Sequence, residues 1–278
     1  MDVSFKNRLL TALIGVPLII LLLLSPTWVV TGAVMASSIV GLYEFFNAVG
    51  LKDKKLLCLM GYLAALVIPI GGSLMPSDML LLIYIFIVIV FGIMLASHKS
   101  ITLTHIALLL MGLLYIPYFL SHITYIRELE FGNFYIWLVF IGAFMTDSCA
   151  FFAGKALGKH KLCPNISPKK TIEGAIGGVL GCGLSFMLFG LIVNTFFSQF
   201  LNGMHIGYVR LFVLGLLIAA VSQIGDLVAS LIKRQFNIKD FGNILPGHGG
   251  ILDRCDSIIM VAPAIFLFLY KIGIMIAG

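Results

Sequence analysis

The sequence predicts an all-α polytopic integral membrane protein with about nine transmembrane helices and a cytoplasmic N-terminus. Three observations predict it. The 278 residues are 60% hydrophobic and only 11% charged, with a mean hydropathy of +1.11. Most of the chain consists of apolar runs of the roughly 20 residues a helix needs to cross a bilayer. These runs are continuous rather than alternating, so they lack the period of two that a membrane β-barrel requires. Finally, the cations are distributed unequally between the loops on the two sides.

In chain order the runs cover residues 9–25, 27–48, 56–73, 78–97, 102–121, 134–153, 174–197, 209–232 and 257–277. The first follows Lys6 and Arg8, as the core of a signal peptide would. No small-x-small cleavage site follows LLLLSPTWVV and the second run starts almost at once, so the first is read as a retained helix. The runs up to residue 130 are joined by short loops, with Pro17, Pro69 and Pro117 marking kinks. No membrane-buried carboxylate is expected among them, and residues 1–130 are read as a lipid-facing scaffold. Residues 131–278 are read as the catalytic part, with two long cytoplasmic loops at 154–173 and 233–256. No repeat relates the halves, which weighs against an inverted-repeat transporter.

Orientation follows from the cations. With the N-terminus inside, every Lys and Arg except Arg127, Arg210 and Lys271 falls on the inner side. Cytoplasmic loops carry that excess, so the expected location is the inner membrane with the site facing the cytoplasm. Anionic ligands and headgroups attract the same cations, so the net charge of +6 needs no nucleic acid to explain it. The five cysteines show no paired spacing and suggest neither a disulfide framework nor a zinc site.

Polar residues concentrate after residue 134. Asp147, Asp226 and Asp253 lie in or at the ends of apolar runs, with Asp256 close behind. Charge in a bilayer costs about 2.5 kcal/mol or more at a helix centre, so such residues usually mark a site. Asp226, Ser230 and Lys233 are spaced i, i+4, i+7 and share one helix face that ends in Arg234. Asp253 and Asp256, spaced i, i+3, share another. Carboxylates without Cys or paired His suit a hard cation such as Mg²⁺, whose shell is completed by water and substrate phosphates. Gly247, Gly249 and Gly250 bracket His248 before the last helix, where exposed amides favour anions. Lys239 and Arg254 add positive charge beside them. Helix capping is an equal reading for Asp256 taken alone. A structural hydrogen bond is an equal reading for His248.

The stretch from Ser230 to Asp256, SLIKR, then Lys239-Asp240, Gly242 and LPGHGGILDRCD, closely resembles the signature of phosphatidate cytidylyltransferases, also called CDP-diacylglycerol synthases. Cys255 stands where that family more often has a bulkier apolar residue. Thr146 to Gly178 also looks like that family: Asp147, then Gly154-Lys155, Gly158-Lys159 and SPKKT from Ser167 to Thr171. Taken alone, this second segment reads first as a polybasic strip on anionic lipid; beside the other motif, substrate binding becomes the favoured role. Pro168 forbids helix continuation there, and Thr171 with Glu173 opens the next helix with an acidic first turn. Gly174, Gly178, Gly177 and Gly181 form small-xxx-small patterns that favour close helix packing.

The resemblance implies a reaction of CTP with phosphatidate to give CDP-diacylglycerol and diphosphate. It implies Asp226, Asp253, Lys233 and Arg254 as catalytic residues, and Asp226, Asp253, Asp256 and Asp147 around Mg²⁺. Lys155, Lys159, Ser167, Lys169, Lys170, Thr171, Ser230, Arg234, Lys239, His248, Gly249 and Gly250 are the expected substrate contacts. A second cation and a homodimer through the glycine-rich helix faces stay open. The rival readings are a CTP-dependent enzyme for another lipid, such as a polyprenol kinase or an isoprenoid-lipid cytidylyltransferase, and a cation-coupled transporter using Asp147 and Asp226.

Overall fold

Each expected apolar run contains a helix in the structure, a computed structural model that describes residues 15–73, 75–244 and 249–277. The helices are α1 (Gly15–Leu24), α2 (Thr27–Ala48), α3 (Lys55–Val67), α4 (Pro76–Ala96), α5 (Leu103–Leu113), α6 (Phe119–Glu128), α7 (Gly132–Leu157), α8 (Ile172–Phe196), α9 (Tyr208–Gln235) and α10 (Leu252–Lys271). Seven stretches, from Thr27–Ala48 to Tyr208–Gln235, are long and apolar enough to cross a membrane. The chain is an all-α polytopic membrane protein. Lys6, Arg8, Gly247 and His248 lie outside the described residues.

The boundaries differ from expectation where helices outrun the apolar stretch. α7 continues to Leu157 and α9 to Gln235, so Gly154, Lys155, Lys233 and Arg234 are helical rather than loop residues. The segment that follows α7 is not irregular either. β1 (Lys161–Cys163) pairs antiparallel with β2 (Ser167–Thr171) in a hairpin. A second short pair joins β3 (Met204–Ile206) to β4 (Met275–Ala277). Pro69 lies in a 3₁₀ turn, Ile68–Ser73, and Pro117 in a π-helical turn, Leu114–Tyr118, both adjustments that accommodate proline in an apolar helix.

The chain divides into two compact units. The first comprises residues 1–125 and 236–254. In it Phe45 and Phe46 of α2 form a buried ridge, and glycines let α3 and α5 close on it. A Cβ at Gly61 would fall 2.8 Å from the Phe46 ring, and one at Gly112 would fall 3.0 Å from Phe45. α4 differs: only 6% of its apolar window is buried.

The second unit comprises residues 126–235 and 255–278. Here α7, α8 and α9 pack tightly on one another, and the expected small-residue faces do the packing. A Cβ at Gly174 would meet the Ala150 carbonyl oxygen at 2.8 Å, and one at Gly178 the Thr146 oxygen at 2.9 Å. Gly177 and Gly181 abut Ala153 and Cys149 in the same way. On the α8–α9 side, a Cβ at Gly215 would lie 2.7 Å from the Gly183 Cα. Close backbone approach of this kind maximises van der Waals contact, which drives helix association where lipid is as apolar as protein.

Candidate active site

In the second unit the C-terminal turns of α7 and α9, the β1–β2 hairpin and the start of α8 surround a cleft of about 360 Å³. That volume lies in the range of small-molecule sites. Asp147, Phe151 and Lys155 enter from α7, Lys169, Lys170 and Thr171 from β2, and Gln223 and Asp226 from α9. Lys170 forms an ion pair with Asp226, and both side chains are part-buried. The cleft therefore combines two carboxylates with three lysines; of the four carboxylates expected around Mg²⁺, Asp147 and Asp226 line it.

Local chemistry explains how the hairpin is held. The Thr171 hydroxyl caps α8 by accepting the Gly174 N–H at 3.1 Å. Gly154, Gly158 and Gly174 surround that hydroxyl, each lacking the Cβ that would come within 2.9 Å of it. Glu173, in the first turn of α8, accepts the backbone N–H of Lys159 at 3.1 Å and that of His160 at 3.2 Å. Its Oε1 also lies 2.6 Å from His160 Nδ1. Glu173 thus clamps the chain just before β1. Its acidic first-turn position was legible in the sequence, but the clamp was not.

The remaining candidates of this unit are spread along the same helices. Asp256 lies within electrostatic range of Asp226, Lys233 and Asp147. Ser230 and Lys233 follow Asp226 on α9 and are part-buried, while Arg234 is exposed. Lys159 is exposed and Ser167 part-buried; neither lines the cleft. Gln223, one turn before Asp226, lines the cleft and donates to the Ala175 carbonyl at 3.0 Å; the sequence reading missed it.

The first unit holds the other motif. Asp253 is buried, and its Oδ2 accepts the N–H groups of Phe241 at 2.8 Å and Gly250 at 3.1 Å. Gly249 has a φ of +82°, a left-handed conformation that favours glycine. Lys239 and Arg254 are exposed beside it. One expectation is overturned here. The scaffold does contain a buried carboxylate: Glu44 of α2 is 2% exposed. Its Oε1 accepts the Ile251 N–H at 3.0 Å and its Oε2 the Leu252 N–H at 2.8 Å. A buried carboxylate is tolerated only when hydrogen-bonded, and here two backbone amides supply the bonds.

Among the described residues no three His, Cys, Asp or Glu side chains gather into a self-sufficient metal cage. Asp147 and Asp226 both line the open cleft; paired carboxylates of this kind suit a hard cation that would keep water and substrate oxygens.

Comparison with known proteins identifies the family. The chain is 32% identical over 278 residues to the phosphatidate cytidylyltransferase of Bacillus subtilis, covering 96% of this chain and 98% of the relative. It is 31% identical over 266 residues to that of Thermotoga maritima, covering 95% and 96%. It is 40% identical over 185 residues to that of Rickettsia bellii, covering 66% and 79%. The model of the cytidylyltransferase family matches residues 6–272, and the chain belongs to that family.

Proposed function

We propose that this protein catalyses the reaction of CTP with phosphatidate to give CDP-diacylglycerol and diphosphate, at the cytoplasmic face of the inner membrane. The observation that carries the chemistry is the cleft in which Asp147 and Asp226 face Lys155, Lys169 and Lys170. A phosphate monoester has a second pKa near 6, so the lipid phosphate is already a competent nucleophile and needs no general base. A non-bridging oxygen of that phosphate bonds to the α-phosphorus of CTP. The bond from that phosphorus to the β-phosphate oxygen breaks, and diphosphate leaves with the electron pair. The obstacle is repulsion between two anions, and fixed positive charge preorganised in the cleft is the remedy.

Lys155, Lys169 and Lys170 meet phosphate oxygens as point charges. Mg²⁺ bound by Asp226 and Asp147 would add Lewis-acid neutralisation of the phosphates. The motif alone would make Asp253 and Asp256 further metal ligands, Asp253, Lys233 and Arg254 catalytic residues, and Ser230, Arg234, Lys239, Gly249 and Gly250 substrate contacts. The Lys170–Asp226 pair holds the cation-binding carboxylate and the phosphate-binding ammonium in one place before substrate arrives.

The test is diphosphate release by purified protein given CTP, phosphatidate and Mg²⁺, omitting one component at a time. Release requiring all three is expected; diphosphate release without lipid, or CDP formation from CTP when a polyprenol replaces phosphatidate, overturns the assignment. In the same assay Lys170→Met is expected to raise the KM for CTP about tenfold or more. An unchanged KM removes Lys170 from the phosphate site.

A further inference from the structure

Resting on that reading of the 239–254 segment, we propose that Glu44 is a positioning residue whose carboxylate fixes the backbone of this loop from the neighbouring helix α2. The loop's described residues before α10, 239–244 and 249–251, include Lys239 but form no helix, so something must hold their shape. Two carboxylates do so. Asp253 Oδ2 draws the N–H groups of Phe241 and Gly250 together from within the loop. Glu44 takes the next two N–H groups, those of Ile251 and Leu252, with one oxygen each.

Leu252 carries the first amide of α10 and Ile251 directly precedes the helix, so neither N–H has a partner within it. A negative group there also complements the helix dipole. Glu44 is therefore a cap delivered from more than two hundred residues away in the chain. Sterics tell the same story. A Cβ added at Gly242 or at Gly250 would run into the Glu44 carboxylate. Two glycines of the motif are thus accounted for by the need to admit this side chain.

The residue type is specific. Two adjacent N–H donors need two acceptor oxygens, and only a carboxylate offers both without a competing donor. Gln presents an NH₂ group to one of the amides, and Asp is one methylene too short to reach both. Glu44 touches no reacting atom in this scheme; it acts through the loop.

The experiment uses the full chain in detergent with bound lipid. Glu44→Gln is compared with wild type by amide hydrogen exchange over 241–253 and by kcat/KM for CTP. Exchange at residues 250–252 is expected to rise about tenfold or more while α7–α9 exchange is unchanged. Activity is expected to fall by a similar factor. Gly250→Ala, which displaces the same carboxylate, is expected to reproduce both effects and to add little further loss in a Glu44→Ala background. Unchanged exchange in Glu44→Gln, or fully additive losses in the double variant, overturns the proposal. Raised exchange in a protein whose wild type makes no CDP-diacylglycerol upholds the positioning role and sinks the reaction instead.

Discussion

Product formation by Asp226→Asn is expected to fall about a thousandfold, the scale on which a single electrostatic group at a reacting phosphate or acyl centre acts. The substitution is nearly isosteric, so packing of α9 is preserved. What changes is charge: a bound hard cation would lose an anionic ligand, and Lys170 loses its ion-pair partner. The pair is part-buried, so its contribution to stability is small. Thermal unfolding in detergent should therefore stay close to wild type while labelled CTP is no longer converted. More than about a tenth of wild-type turnover would place the chemistry elsewhere.

Gly215→Ala is expected to lower stability clearly. The added methyl would sit 2.7 Å from the Gly183 Cα and 3.0 Å from the Cys182 carbonyl oxygen. Both obstacles are backbone, so no side chain can rotate away and α8 must separate from α9. Overpacking of this kind costs about 1–3 kcal/mol, a fall in the thermal midpoint of about 2 °C or more. Gly92→Ala on α4 is the control. Nothing lies within 4 Å of its Cβ position, and alanine is the better helix former by about 1 kcal/mol, so its midpoint should hold or rise. Equal midpoints for the two variants would contradict the close α8–α9 approach.

The helices could be read from the sequence because a bilayer forces backbone groups to satisfy themselves within each apolar run. Their ends could not, because α7 and α9 continue past the apolar stretch on polar residues that are ordinary helix formers, such as Lys155 and Gln235. The face shared by Asp226 and Lys233 followed directly from helical spacing. The β1–β2 hairpin left no such trace. Its strands of three and five residues are too short to show alternation, and Pro168 sits inside one of them. Glu44 escaped notice for a different reason. A single acidic residue near the end of an apolar run looks like a membrane boundary, and its partners are the backbone N–H groups of Ile251 and Leu252, which no side-chain pattern can announce. Gly242 and Gly250 were the only written sign of it, and glycine in a loop has many explanations.

α4 has the highest mean hydropathy of the candidate spans, 3.1, and the smallest buried share. Its place is set by the oily phase outside the protein and hardly at all by neighbouring side chains. Exchange of one aliphatic residue for another along α4 should therefore pass unnoticed, whereas the glycine seams of α7, α8 and α9 tolerate almost no change. During purification the surfactant must take over the solvating role for this helix, and short-chain surfactants that leave it bare would expose it to self-association first.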